Sequence, residues 1–216
     1  MPRAIAHHPR LFVPSKRIEQ NTVLNWHNSP EKEFRFYGEA FWNAARKLVE
    51  GNDLDSGGLA DFSACPIVYL YRHAVELFLK GLVIEEQLLG SRTDIKTTVD
   101  RGHSLKKQLP GVRRIFETYG WQNDFGEQVS TFDDFEEIVN ELEDVDTGSF
   151  SFRYPLNREL LGSLNSHFTF SAREFARLMD DVLNTLNGAC FCLPEEIEAR
   201  AKAACEALED AAEYNP

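Results

Sequence analysis

The sequence predicts an all-α fold: an up-and-down helical bundle of four to five main helices, with an N-terminal arm and an additional C-terminal helix. Three observations carry that prediction. Helix starts and stops punctuate the chain at Ser29-Pro30-Glu31, Gly51 to Gly58, Gly90 and Thr131 to Asp134. Apolar residues recur at helical spacing from Phe34 to Leu48 and from Phe175 to Leu186, whereas strand-like alternation is weak throughout. Residues 67–89 are apolar around most of a helix circumference, the pattern of a helix at the centre of a bundle. The chain has 216 residues, 43% hydrophobic, with sixteen Phe, which is enough for a sizeable core and fits one bundle with appended pieces. The arm is assigned to 1–29, the bundle to 30–190 and the last helix to 191–216.

In chain order, residues 1–29 show no sustained period and contain Pro2, Pro9 and Pro14; Leu11, Phe12, Val13 and Trp26 are candidate anchors onto the body. Ser29 as cap with Pro30 at the first helical position starts a helix running to about Glu50, with Phe34, Tyr37, Phe41, Ala44, Ala45 and Leu48 on one face. The second helix begins near Asp61 or Ser63 and runs to Leu89, with Pro66 either in its first turn or at a kink. Residues 91–103 read as a loop, followed by short helical stretches at Ser104–Leu109 and Gly111–Tyr119 divided by Pro110. Thr131 caps a helix to about Val145, and Thr147 to Pro155 breaks the helical pattern. A helix from Ser171 to about Leu186 and a last one from Leu193-Pro194 to about Ala212 complete the set.

The net charge of −12 excludes a generally basic nucleic-acid binder, since phosphate contacts need concentrated Lys and Arg. Charge is nevertheless segregated. Arg101, Lys106, Lys107, Arg113 and Arg114 come without an acid between them, and Asp133 to Asp146 holds eight acids without a base. Such runs are solvated helix faces, or they pair with each other within a subunit or across an interface, or the 101–114 run touches RNA. No apolar run of about 18 residues predicts a membrane span, and the N-terminus has no apolar leader, so a cytoplasmic location is expected. Cys65, Cys190, Cys192 and Cys205 lack zinc-ligand spacing, so reduced cysteines, no metal and no cofactor are expected.

The central helix carries one polar stripe. At about 100° per residue, with Arg72 at zero, Glu76 falls near 40°, Tyr69 near 60°, Lys80 near 80° and His73 near 100°. A polar arc on an otherwise apolar helix must meet water, a cleft, or partners on neighbouring segments, because unpaired buried charge is expensive. One reading is an internal ladder, with Glu76 four residues from both Arg72 and Lys80 and His73 a satisfied interior histidine. The other is a cleft wall, completed by His103 at a loop-to-helix junction and by Arg153 and Tyr154 in the helix-breaking segment. In that reading Tyr69, Arg72, His73, Glu76, Lys80, His103, Arg153 and Tyr154 line the site. Arg153 and Glu76 make one plausible ion pair. His73, His103 and Arg153 are the candidate catalytic groups, a histidine moving a proton and an arginine holding a phosphate.

Three segments in order, Pro66 to Leu82 with its Arg72-His73-Ala74 and Glu76-Leu77 pairs, Gly102-His103-Ser104-Leu105, and Phe152-Arg153-Tyr154-Pro155, resemble the HEPN superfamily of prokaryotic helical domains over roughly residues 35–185. The resemblance implies an up-and-down bundle, a homodimer, a protein partner from the same operon, and a role in toxin–antitoxin or phage-defence systems. Catalytic members of the family resemble metal-independent endoribonucleases that place an Arg and a His a few residues apart on a late helix. This chain departs from that pattern: Arg3 and His8 lie in the arm, and Arg158 and His167 have eight residues between them, one of them Gly162. The expectation is therefore a non-catalytic component that binds a partner or a nucleotide-bearing ligand. The alternatives are a metal-independent endoribonuclease with a non-standard Arg/His site and a purely structural dimerisation module.

Overall fold

The computed structural model describes residues 11–24, 32–52, 54, 58–90, 102–164 and 168–213, with backbone only at 58–60 and 211–213. Five α-helices make an all-α bundle: α1 (Phe34–Gly51), α2 (Ala64–Leu89), α3 (Leu109–Tyr119), α4 (Phe132–Val145) and α5 (Ala172–Glu213). Among the described residues there is no strand, and one isolated bridge joins Leu156 and Gly162. No helix among them is long and apolar enough to cross a membrane. The predicted helix start at Ser29-Pro30-Glu31, Trp26, most of the 91–103 loop with Arg101, and Arg3, His8 and His167 lie outside the described residues.

α2 is the axis, packed along α1 and α5 and touching α3. A short 3-10 turn (Gly58–Ser63) leads into it. Pro66 is its third residue, where an amide N–H has no intrahelical acceptor, so the ring does not kink the rod. Ile67, Val68, Tyr71, Val75, Phe78, Leu79 and Leu82 are all buried. α1 crosses at close range because each helix offers a glycine to the other. A Cβ on Gly38 would sit 3.0 Å from the Phe78 ring, and one on Gly81 would sit 3.1 Å from Phe34 Cβ. This crossing rotates α1 from the expected face. Gly38, Trp42 and Ala45 are buried, whereas Tyr37 and Ala44 are exposed. Of the expected face only Ala45 is fully buried, because the glycine contact sets the crossing.

α3 and α4 supply the aromatic part of the core. Phe116, Trp121, Phe125, Phe132 and Phe135 form a chain of ring contacts with centroids 5.2–5.9 Å apart. α3 is a single helix rather than two stretches. Pro110 is tolerated at its second position, and residues 106–108 are turns. Gly120, at φ +79°, ends it in the left-handed conformation. α4 begins at the expected capping box. Asp134 N–H donates to Thr131 Oγ1 at 3.2 Å, and Thr131 N–H donates back to Asp134 Oδ2 at 2.9 Å. The Thr131 hydroxyl, which donates to Asp134 Oδ2 at 2.9 Å, and the Thr131 N–H hold the Asp134 carboxyl below its ordinary value.

α5 runs 42 residues without a break, replacing the two helices expected on either side of residues 187–192. Pro194 cannot donate to the carbonyl one turn back, a loss of about 3 kcal/mol or more in a free helix. Ala189, Cys190 and Leu193 are buried and Ile197 is half-buried, so packing holds the helix straight through the proline. Residues 198–210 are exposed. The first turn of that stretch is tied back by Arg200, which donates to the Thr118 carbonyl and lies 4.4 Å over the Tyr119 ring. At the other end of the chain the arm does not anchor as expected. Leu11 and Phe12 are 94% and 96% exposed, and Val13 is exposed as well.

Candidate functional site

The polar stripe of α2 is buried, and it meets three other segments. Arg72 is completely buried and Glu76 is 2% exposed. The Arg72 guanidinium is met from three sides by carboxylates. Its Nη2 donates to Glu143 Oε2 at 3.0 Å and to the His103 carbonyl at 2.9 Å. Its Nε faces Asp146 Oδ2 at 3.3 Å, and its Nη1 faces Glu76 Oε2 at 3.6 Å, both as ion pairs rather than well-aligned hydrogen bonds. Glu143 Oε2 also accepts the Leu105 N–H at 3.0 Å, so one carboxylate fixes both the arginine and the 102–105 turn. Arg72 thereby joins α2, that turn, the end of α4 and the loop after it.

The loop is shaped to deliver Asp146. Gly148 and Ser149 are both left-handed, at φ +69° and +60°, which folds the chain back sharply after α4. Asp146 Oδ1 then accepts the Ser151 N–H at 2.5 Å while its other oxygen faces Arg72. The same turn sends Arg153 outward. Its Nε donates to the Ser149 carbonyl, and its guanidinium lies 5.5 Å over the Tyr69 ring and 5.8 Å over Tyr154. The Arg153–Glu76 pair suggested by the sequence is therefore replaced: Arg72 reaches Glu76, and Arg153 sits above on the rings.

Glu76 is the junction between the buried network and the surface. Lys80 Nζ donates to its Oε1 at 2.8 Å, and His103 Nδ1 lies 3.0 and 3.2 Å from its two oxygens. His73 Nδ1 is 3.9 Å away, at ion-pair range only. Burial by itself raises the Glu76 carboxyl, but His73, Lys80 and His103 outweigh it and hold the group down at about 2. Glu76 is an ionised anchor at neutral pH. His73 is clamped between rings, edge-on to Phe41 at 4.4 Å and stacked on Tyr69 at 5.8 Å. The His103 side chain is 57% exposed.

The eight residues named from the sequence thus form two tiers. Arg72 and Glu76 lie beneath the surface. Tyr69, His73, Lys80, His103, Arg153 and Tyr154 lie around and above them, linked by the ring and ion contacts just described. Glu76 pairs with Arg72 and Lys80 along α2, His103 contacts Glu76, and Arg153 lies over Tyr69. An apolar groove of about 320 Å³ lies elsewhere, between α2, α4 and α5, lined by Val68, Leu142, Phe152, Phe170, Phe175 and Met179 among others.

Glu143 and Asp146 were not singled out from the sequence. Their signal was their register. Phe135, Val139, Leu142 and Asp146 share the apolar face of α4, with Glu143 beside them, so an acid falls where α4 must be buried. A buried acid demands a buried cation, and Arg72 on the apolar α2 is its counterpart. Asp180 was missed entirely. Its Oδ1 accepts from Trp42 Nε1–H at 2.6 Å and from the Tyr71 hydroxyl at 2.9 Å, joining α1, α2 and α5. Burial, reinforced by Asp180, pushes the Tyr71 phenol well above its ordinary value.

The charge runs pair within the chain. Lys106 meets Asp144 at 2.5 Å, Arg113 meets Asp133 at 2.7 Å as well as Glu136, and Arg114 meets Glu86 at 2.8 Å. Most of the described part of the basic run is thus already matched by carboxylates. Among the described residues no group of His, Cys, Asp and Glu is arranged to hold a metal ion. All four cysteines are free, and Cys190 is buried with its thiol 3.8 Å from the Phe78 carbonyl.

Fold and site together define an all-α bundle protein whose central helix carries a buried arginine–carboxylate network beneath a surface of rings and cations. No family model, no curated protein and no solved structure matches the chain.

Proposed function

We propose that the protein is a HEPN-like, non-catalytic binding component of a bacterial defence or toxin–antitoxin type system, acting in the cytoplasm as a homodimer. Its binding surface is the upper tier over α2: Tyr69, His73, Lys80, His103, Arg153 and Tyr154. It takes a protein partner from the same operon or a nucleotide-bearing ligand. One observation carries the reading. A completely buried Arg72, bound by Glu76, Glu143 and Asp146, costs stability to desolvate and holds four segments in one geometry directly beneath that surface. Arg153 and Lys80 supply charge for an anionic group, and the Tyr69 and Tyr154 rings supply faces for stacking. Glu76, ionised down to about pH 2, orients its neighbours and does not exchange protons near neutrality.

The test is to incubate the purified protein with mixed RNAs, with and without a chelator, and to titrate nucleotides and the co-expressed neighbouring gene product by fluorescence anisotropy. The reading expects intact RNA and a binding isotherm that weakens on Arg153→Ala. Metal-independent cleavage lost on His73→Ala or Arg153→Ala would replace it with the endoribonuclease reading. That alternative draws on one contact: Glu76 holds His103 through Nδ1, which leaves the other ring nitrogen of an exposed histidine available to a substrate. Intact RNA with no binding to either class of ligand leaves only the structural dimerisation module.

A further inference from the structure

We propose that residues 11–18 of the arm dock into the apolar groove between α2, α4 and α5 of a second copy of this chain. The proposal rests on the homodimer reading and assigns its contact surface. Both halves of the contact are exposed in the single chain. The arm is ordered by its own polar groups, with Ser15 N–H donating to Asn21 Oδ1 at 2.6 Å and Asn21 Nδ2 donating to the Ser15 carbonyl at 3.1 Å. That turn presents Leu11, Phe12, Val13 and Ile18 to water, the last 84% exposed. A segment showing several large apolar side chains, with no apolar partner among the described residues, is the signature of an interaction element rather than of a loop.

The groove has the matching chemistry. Its floor is Val68, Leu142, Phe152 and Met179, and its mouth carries Phe168 and Phe170, each more than a third exposed. Glu141 and Glu174 line its edge, Glu174 in an exposed pair with Arg177 at 2.9 Å that the arm's cations would share or displace. The arm places exposed Lys16 and Arg17 after the apolar Leu11-Phe12-Val13 with two residues between, so apolar side chains enter the groove while cations meet the two acids. Complementary charge at an apolar contact sets register and partner choice. A two-fold pair of chains would use each arm and each groove once, which closes the assembly at a dimer. Two such contacts are also what brings the buried area towards that of a stable complex, which one short arm does not reach.

The test uses sedimentation velocity on the full chain across a dilution series. The wild type is expected to dimerise. Leu11→Ser with Phe12→Ser is expected to raise the dimer dissociation constant on the order of tenfold or more, with an unchanged far-UV spectrum. Lys16→Glu with Arg17→Glu is expected to weaken it too, and Glu141→Lys with Glu174→Lys in the same chain is expected to restore it. A dimer indifferent to all these changes overturns the docking and leaves the homodimer standing. A monomer at every concentration overturns both. Seating of the arm on its own body is read separately, from Phe12→Cys with Glu174→Cys in a Cys192→Ser, Cys205→Ser background. A disulfide formed only within one chain overturns docking onto a second copy, and one formed between chains supports it.

Discussion

Tyr71 and Arg72 are neighbours on α2, both without exposed surface, yet they are held by opposite means. On the Tyr71 side one half-buried carboxylate, Asp180, accepts two hydrogen bonds from neutral donors on α1 and α2. Arg46 faces its other oxygen at 3.9 Å from the exposed edge, and below that the side is apolar packing. On the Arg72 side one full charge is surrounded by three carboxylates drawn from α2, α4 and the loop beyond it. A neutral phenol or indole needs a single acceptor to satisfy it. A guanidinium out of water needs counter-charge from several directions, and every supplier must be fixed in place. The first side therefore stabilises a packing that apolar contacts already select. The second ties to α2 two segments, the 102–105 turn and the 146–154 loop, whose buried apolar anchors are Leu105 and Phe152.

The largest expected effect comes from removing the arginine. Arg72→Ala leaves Glu76, Glu143 and Asp146 buried around a cavity and should cost about 3–5 kcal/mol in urea unfolding. A loss below about 1 kcal/mol would mean the network is wet and the contrast between the two faces is wrong. Acid should weaken the same face next. Because the folded Glu76 value is about 2 against an ordinary 4.5, its contribution is complete above 4.5 and is lost as pH falls towards 2, on the order of 3 kcal/mol. Urea midpoints followed from pH 6 to pH 3 should fall less steeply in Glu76→Gln, and parallel curves would remove Glu76 from that role.

On the other face, Asp180→Ala strands the Trp42 and Tyr71 donors and should cost about 1–3 kcal/mol, while Tyr71→Phe, which removes only the hydroxyl, should cost about 0.5–1.5 kcal/mol. If Tyr71→Phe proved as damaging as Arg72→Ala, the phenol would be the organising group instead. The smallest effect belongs to the surface. Lys106→Ala breaks an exposed pair with Asp144 and should change stability by about 0–1 kcal/mol, an effect that disappears in high salt.

Much of the bundle was legible because its signals are local. The Thr131 capping box, the Pro66 first turn and the apolar body of α2 each depend on residues within a few positions of one another. Where a distant contact took over, sequence reasoning turned the wrong way. Gly38 faces the core of α1 because Phe78 fills the space above it, and α5 passes through Pro194 because Leu193 and Ile197 remain on the core side. The site divides along the same line. The stripe on α2 followed from helical period alone, and His103 and Arg153 were drawn to it from the order of their motifs. Asp180 gave no local sign, and the acids at 143 and 146 looked like two members of a charged run.

By itself, then, the sequence determined that the protein is helical, which helix is central, and that this helix carries one polar arc. Helical periodicity and capping are short-range, so the chain states them directly. Only the tertiary structure decided that Arg72 and Glu76 are buried, that Glu143 and Asp146 close around the arginine, and that Arg153 rests on Tyr69 rather than on Glu76. Burial and counter-charge depend on segments as much as 74 positions apart along the chain, from Arg72 to Asp146, and no local pattern fixes which of several acids will arrive.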